Sequence, residues 1–224
     1  MRILNPRYQF YHRLAFLYVR LFGKDKISYS SNKEDVIIDI LTGFKQNGVY
    51  IDVGANHPDI ISVTKKFYDR GWSGVNIEPN YDNYLLFLEK RKRDINLNFG
   101  IAEKEGEADF FFKPNATTAE STGFTFSKKV YDERGHDLKS KKVKMMPLRK
   151  IFEDNGLVAV DFINIDTEGF ENEVLKSNDW KKYKARVLCV EGKGYDKFLK
   201  QFGYKKALFD GINTYYVLND DNHF

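Results

Sequence analysis

A chain of 224 residues, 42% hydrophobic and 30% charged, has the makings of one large folded domain and excludes disordered or collagen-like material. Its single cysteine, Cys189, excludes an intramolecular disulfide framework and a cysteine-based zinc cluster, and it fits a reducing, cytoplasmic setting. The net charge of +4 is concentrated: between Met1 and Ile27 six basic residues face Asp25 alone, a balance of +5 that leaves the remainder at −1 and argues against a nucleic-acid partner.

Residues 1–27 form the first unit, a basic amphipathic helix. From Tyr8 to Phe22, Leu14, Leu17, Val19 and Leu21 are interleaved with aromatics, and Arg13 and Arg20 share one face. Its longest apolar run, Leu14 to Val19, is far short of the ~20 residues needed to span a bilayer. The helix packs on the domain or on a second copy in a homodimer, or it lies on an anionic membrane as a peripheral contact. Apolar groups around most of its circumference favour packing.

Residues 28–224 form the second unit, in which strands alternate with helices from Val49 onward. Strands are expected at Val49–Val53, Gly74–Ile77, Ile95–Phe99, Ala108–Phe112, Val160–Ile165 and Arg186–Val190. Helices are expected at Ile60–Arg70, Tyr81–Lys90, Leu148–Asn155, Phe170–Lys176 and Tyr195–Phe202. Asp210-Gly211 is a hairpin turn, with Thr214–Leu218 as its second arm. Residues 113–147 are expected to be an irregular substrate or lid segment. Alternation with short connections gives an α/β fold with a mostly parallel sheet, helices on both faces and a C-terminal antiparallel hairpin. That Rossmann-like combination is typical of class I methyltransferases more than of ordinary dinucleotide-binding folds.

Chemistry-bearing residues fall at strand ends, where open α/β sheets bind ligands. Tyr50-Ile51-Asp52-Val53-Gly54-Ala55-Asn56 places a glycine turn after the first strand, with Asp52 able to pair with a cationic group. It lacks the glycine spacing of pyrophosphate-binding loops. Glu78, before Pro79 and 24 residues beyond Gly54, is placed to accept both hydroxyls of a ribose. Asp166 closes the next apolar strand, and Glu191 closes its neighbour. Two such acids can hold a divalent cation, or raise one another's pKa and supply a general base.

Together, Tyr29-Ser30-Ser31-Asn32-Lys33-Glu34-Asp35, the Asp52–Asn56 turn, Ser62-Val63-Thr64, Arg70-Gly71-Trp72-Ser73-Gly74, Asn76-Ile77-Glu78-Pro79, Ile163–Gly169 and Glu191 resemble the FkbM-type S-adenosylmethionine-dependent methyltransferases. The resemblance implies O-methylation of a hydroxyl on a sugar or glycan. It implies that Asp52, Gly54 and Asn56 line the methionine end of the cofactor, that Glu78 holds the ribose, and that Ser30 and Asp35 approach the cofactor. Asp166 and Glu168 would face the methyl group. The sequence departs from the family in having Lys33 where many members have glycine, and His57 where many have aspartate.

Asp166 is the preferred general base, with His57 in reserve. A metal-dependent O-methyltransferase of a natural product, using Asp166 and Glu191, is the nearest alternative. A nucleotide-sugar oxidoreductase and a non-catalytic binding module are more distant ones. Phe124 and Phe126 are candidate sugar-stacking platforms. Lys139, Lys141, Lys142 and Lys144 form a solvated face or meet a phosphate-bearing acceptor.

Overall fold

The computed structural model describes residues 28–112, 124–127, 132 and 139–219, so the basic segment 1–27 and its expected helix lie outside the described residues. The first element is helix α1 (Glu34–Leu41), followed by β1 (Val49–Val53), α2 (Lys65–Arg70), β2 (Ser73–Ile77), α3 (Tyr81–Lys90) and β3 (Ile95–Leu97). Four strands of a smaller sheet come next, β4 (Gly100–Ile101), β5 (Gly106–Phe112), β6 (Phe124–Thr125) and β7 (Lys139–Met146). The chain then returns to the main sheet through α4 (Leu148–Asp154), β8 (Ala159–Ile165), α5 (Glu171–Lys176), β9 (Lys184–Glu191), α6 (Asp196–Lys200), β10 (Tyr204–Phe209) and β11 (Asn213–Leu218).

The main sheet has the order β10-β11-β9-β8-β1-β2-β3. Every neighbouring pair from β9 to β3 is parallel, whereas β11 runs antiparallel to both β9 and β10. This is the expected Rossmann-like fold. The Asp210-Gly211 turn forms as read: Gly211 sits at φ 111°, and Asp210 Oδ1 accepts from the amides of Ile212 and Asn213 at 2.9 and 2.7 Å.

The period-two alternation of buried strands divides the core. Ile51, Val53, Ile163, Ile165, Leu188 and Val190 face Leu148, Ile151, Phe152 and Leu175 on one side. Tyr50, Phe162, Val187 and Cys189 face Ile37, Ile38, Phe67 and Trp72 on the other. Helices therefore cover both faces. Among the described residues, no helix is long and apolar enough to cross a membrane.

Three expectations need correction. The helix read from Ile60 is confined to Lys65–Arg70. Ile60, Ile61, Val63 and Thr64 are β-branched and stiff at χ1, Ile61 adopts φ 52°, and Ser62 N donates to Tyr29 O instead of entering a helical turn. Residues 139–146, expected within the irregular segment, form β7, which pairs antiparallel with β5 and parallel with β4. The lysines hid its alternation, although Val143 and Met145 are buried on one face. Finally, α1 had no counterpart in the sequence reading.

Candidate active site

The main sheet changes direction of travel at β1, with β2 and β3 on one side and β8 and β9 on the other. A cleft lies at the carboxyl ends of β1, β2 and β8, at this switch point. Asp52, Gly54, Asn56, Glu78, Pro79, Asp166 and Glu168 all line it. Seven residues named from sequence thus meet in one place.

Gly54 is the pivot. It sits at φ 80°, and a Cβ built on it would lie 1.8 Å from the backbone oxygen of Asp166. Only a bare backbone lets the β1 turn pass this close to the β8 turn. Asp166 N donates to Val53 O at 3.0 Å and completes the contact. Gly54→Ala combines a backbone clash with a left-handed φ, so it is expected to destabilise by about 2–4 kcal/mol and to lower Tm by roughly 5–12 °C, read by calorimetry. An unchanged Tm would mean that the two turns are not held together here.

Glu78 is a buried carboxylate whose oxygens both accept backbone N–H groups, Oε2 from Asn56 and Oε1 from Asn80, each at 2.6 Å. Burial pushes its pKa up to about 8, against the lowering effect of those two bonds. Asn80 also caps α3 through a bond from Asp82 N at 2.9 Å, so the carboxylate is fixed at the start of a helix. Asn56 holds φ 54°, and its Oδ1 accepts from Asn83 Nδ2 at 3.0 Å. Its own Nδ2 is buried in the cleft wall with no hydrogen-bond partner among the described residues. An orphaned donor beside a buried carboxylate is what a site for a polar ligand leaves open.

Asp52 is committed to the scaffold. Its oxygens accept from Thr64 Oγ1 and Asn164 Nδ2, both at 2.9 Å, which ties β1 to β8 and to the strained 60–64 loop. Burial raises its pKa, partly offset by these bonds.

Beyond β8 the chain makes two left-handed residues, Glu168 (φ 55°) and Gly169 (φ 99°). Glu171 Oε1 holds this turn by accepting from Thr167 N, Thr167 Oγ1 and Gly169 N, each at 3.0 Å. The result is an acidic cluster: Asp166, Glu168 and Glu191 each present a carboxylate oxygen within 4.8 Å of the others. Burial, and then the facing Glu191 and Glu168 charges, push the Asp166 carboxyl well above the ordinary range. Glu191 joins the cluster without lining the cleft.

Ser30, Asp35 and His57 are not in the cleft wall. Asp35 is fully buried and accepts from Ser28 Oγ, Tyr29 N and Ser30 Oγ at 2.6, 2.8 and 2.9 Å, pinning residues 28–30 to the start of α1. Ser31, next along, does line the cleft, so the motif touches the site one residue away from the two that were named. Lys33 takes φ 64°, the backbone shape a glycine adopts without strain. His57 turns its Nδ1 inward, accepting the amides of Asp59 and Ile60 at 3.0 Å each. Burial and the Lys90 ammonium hold its pKa below 6.5.

An aromatic wall completes the cleft. Phe110, Phe126 and Phe170 are in successive ring contact, with centroids 4.9 and 5.6 Å apart. Phe126 was named from sequence; Phe110 and Phe170 were not, because the smaller sheet brings Phe110 there, the turn before α5 brings Phe170, and no local pattern marks either. The side chain of Phe124 lies outside the described residues.

In comparisons with known proteins, the profile of the methyltransferase FkbM domain matches residues 52–215. No curated protein matches the chain.

Proposed function

Since this chain belongs to the FkbM methyltransferase family, with the class I methyltransferase fold, we propose that it transfers the methyl group of S-adenosylmethionine to a hydroxyl of a sugar or glycan. One observation carries the reading: the Gly54 turn, packed on the Asp166 carbonyl, brings the buried carboxylate of Glu78 and the half-buried carboxylate of Asp166 into a single cleft. The donor set fits the cofactor. Glu78 would accept the ribose hydroxyls, each oxygen retaining a second lone pair beside its backbone bond, and Asn56 Nδ2 would find an acceptor. When bound, S-adenosylmethionine supplies a methyl group already activated on a sulfonium.

What remains for the protein is alignment and proton removal. The wall of Phe110, Phe126 and Phe170 suits the apolar face of a sugar ring. Asp166 takes the proton of the acceptor hydroxyl at its carboxylate, with Glu168 and Glu191 raising its basicity. The test is calorimetry with S-adenosylhomocysteine, followed by a sugar-acceptor screen for methyl transfer. Tight binding of a nicotinamide dinucleotide instead would overturn the reading.

The third carboxylate, Glu168, favours a second reading in which the acidic cluster holds a divalent cation, since hard cations take several oxygen ligands. In the metal-free reading, EDTA leaves methyl transfer within about twofold of the untreated rate. A loss beyond tenfold that magnesium or manganese restores assigns the reaction to the metal-dependent class.

A further inference from the structure

The smaller sheet places one cation against the cleft. In the β5–β7 ladder, Lys141 lies directly opposite Phe110, on the strand face that also carries the buried Val143 and Met145. Its ammonium stands 5.7 Å from the centroid of the Phe110 ring, which lines the cleft. Among the described residues no carboxylate is in ion-pair contact with Lys141, although its charge acts on the buried Glu78 carboxyl and favours the ionised form there, whereas its neighbour Lys142 is bound to Asp109 at 3.0 Å. From Lys141 the aromatic wall leads through Phe126 to Phe170, beside the acidic cluster. The cleft is thus polarised, cationic at one end of an aromatic shelf and anionic at the other. An anionic group is attracted to the first end and repelled by the second.

We propose that the acceptor carries an anionic substituent, a phosphate or a carboxylate, that docks on Lys141 while its sugar ring lies along Phe110, Phe126 and Phe170. This rests on the sugar-methyltransferase reading and deepens it. Charge alone then orients the acceptor. Its anion is held away from Asp166, and a neutral hydroxyl is left at the acidic end where the proton must be taken. Lys141 is half-exposed and adjoins the cleft wall at Phe110 without itself lining it, so the ammonium offers a point charge without a rigid geometry.

The experiment uses the full chain saturated with S-adenosylhomocysteine and titrated with inorganic phosphate and, separately, with acetate. Backbone amide signals of β5 and β7 are followed by NMR. At least one anion is expected to shift the amides around Phe110 and Lys141, and the stronger of the two identifies the substituent. Lys141→Gln removes the shift and Lys141→Arg keeps it. In a parallel panel, glucose 6-phosphate and glucuronate bind about three- to tenfold tighter than glucose, a margin that Lys141→Gln abolishes. If the cofactor product binds but neither anion moves these amides, or the shifts survive in Lys141→Gln, the anion site is wrong and the methyltransferase reading stands. If the cofactor product itself fails to bind, both fall.

Discussion

Replacing Asp166 with asparagine is expected to lower turnover by roughly 10²–10⁴ while leaving affinity for S-adenosylhomocysteine within a few-fold. The substitution keeps the shape of the carboxyl and removes its ability to take a proton. Asp166 is the group in the cleft wall best poised for that task, because burial and two neighbouring carboxylates make its ionised form reluctant and therefore basic. His57→Gln is the control. Its Nδ1 already accepts two backbone amides and its ring lies outside the cleft wall, so a smaller loss is expected, confined to the stability of the 57–60 turn. A larger loss at His57 than at Asp166 would move the base to the imidazole. If neither change slows methyl transfer to a confirmed sugar acceptor, alignment alone carries the catalysis.

The second large effect is expected at Glu78. The folded carboxyl keeps its proton up to about pH 8, against an ordinary value of 4.5. Between those values the folded, ligand-free protein binds more protons than the unfolded chain, so its stability falls as pH rises through this window. In the proposed site, ribose hydroxyls would donate to the ionised form, which links cofactor binding to proton release. Affinity for S-adenosylhomocysteine should climb with pH, by as much as tenfold per unit below about 8, and then level off. Glu78→Gln flattens that dependence, and Glu78→Ala weakens binding by an order of magnitude or more at pH 9. Calorimetry across the range checks both. A wild-type affinity independent of pH would show that the carboxyl is already ionised or does not touch the ligand.

Much of this site was legible because its residues sit where local patterns end. Val49–Val53 and Val160–Ile165 are apolar runs that stop at a carboxylate or a glycine, which marks a strand terminus and a ligand-facing group together. The rest is written in long-range contacts. Helix α1 is only eight residues long and buried along all of them, so its acids do not mark a solvent-facing side by which to recognise a helix. Asp39 is tolerated because of partners far along the chain: Arg70 clasps it at 2.5 and 2.6 Å, with Lys66 at 3.2 Å. Strand β7 was disguised by its exposed lysines, and with it went the reason why Phe110 faces the cleft.

The position of β11 has a consequence for the order in which the protein can be completed. Synthesis delivers β9, then β10, then β11, yet β11 lies between the other two. Until residues 213–218 have left the ribosome, β9 presents a bare edge carrying Val187, Cys189 and Val190, the sort of edge that invites pairing with another chain. Insertion of β11 closes that edge by matching Tyr215 to Cys189 and Asn213 to Glu191. The same step brings Asn213 Nδ2 to Glu34 Oε1 at 3.1 Å, beside the acidic cluster. β11, made after both of its neighbours, is therefore the strand that closes the edge of β9 and, in the same step, sets Asn213 against Glu34.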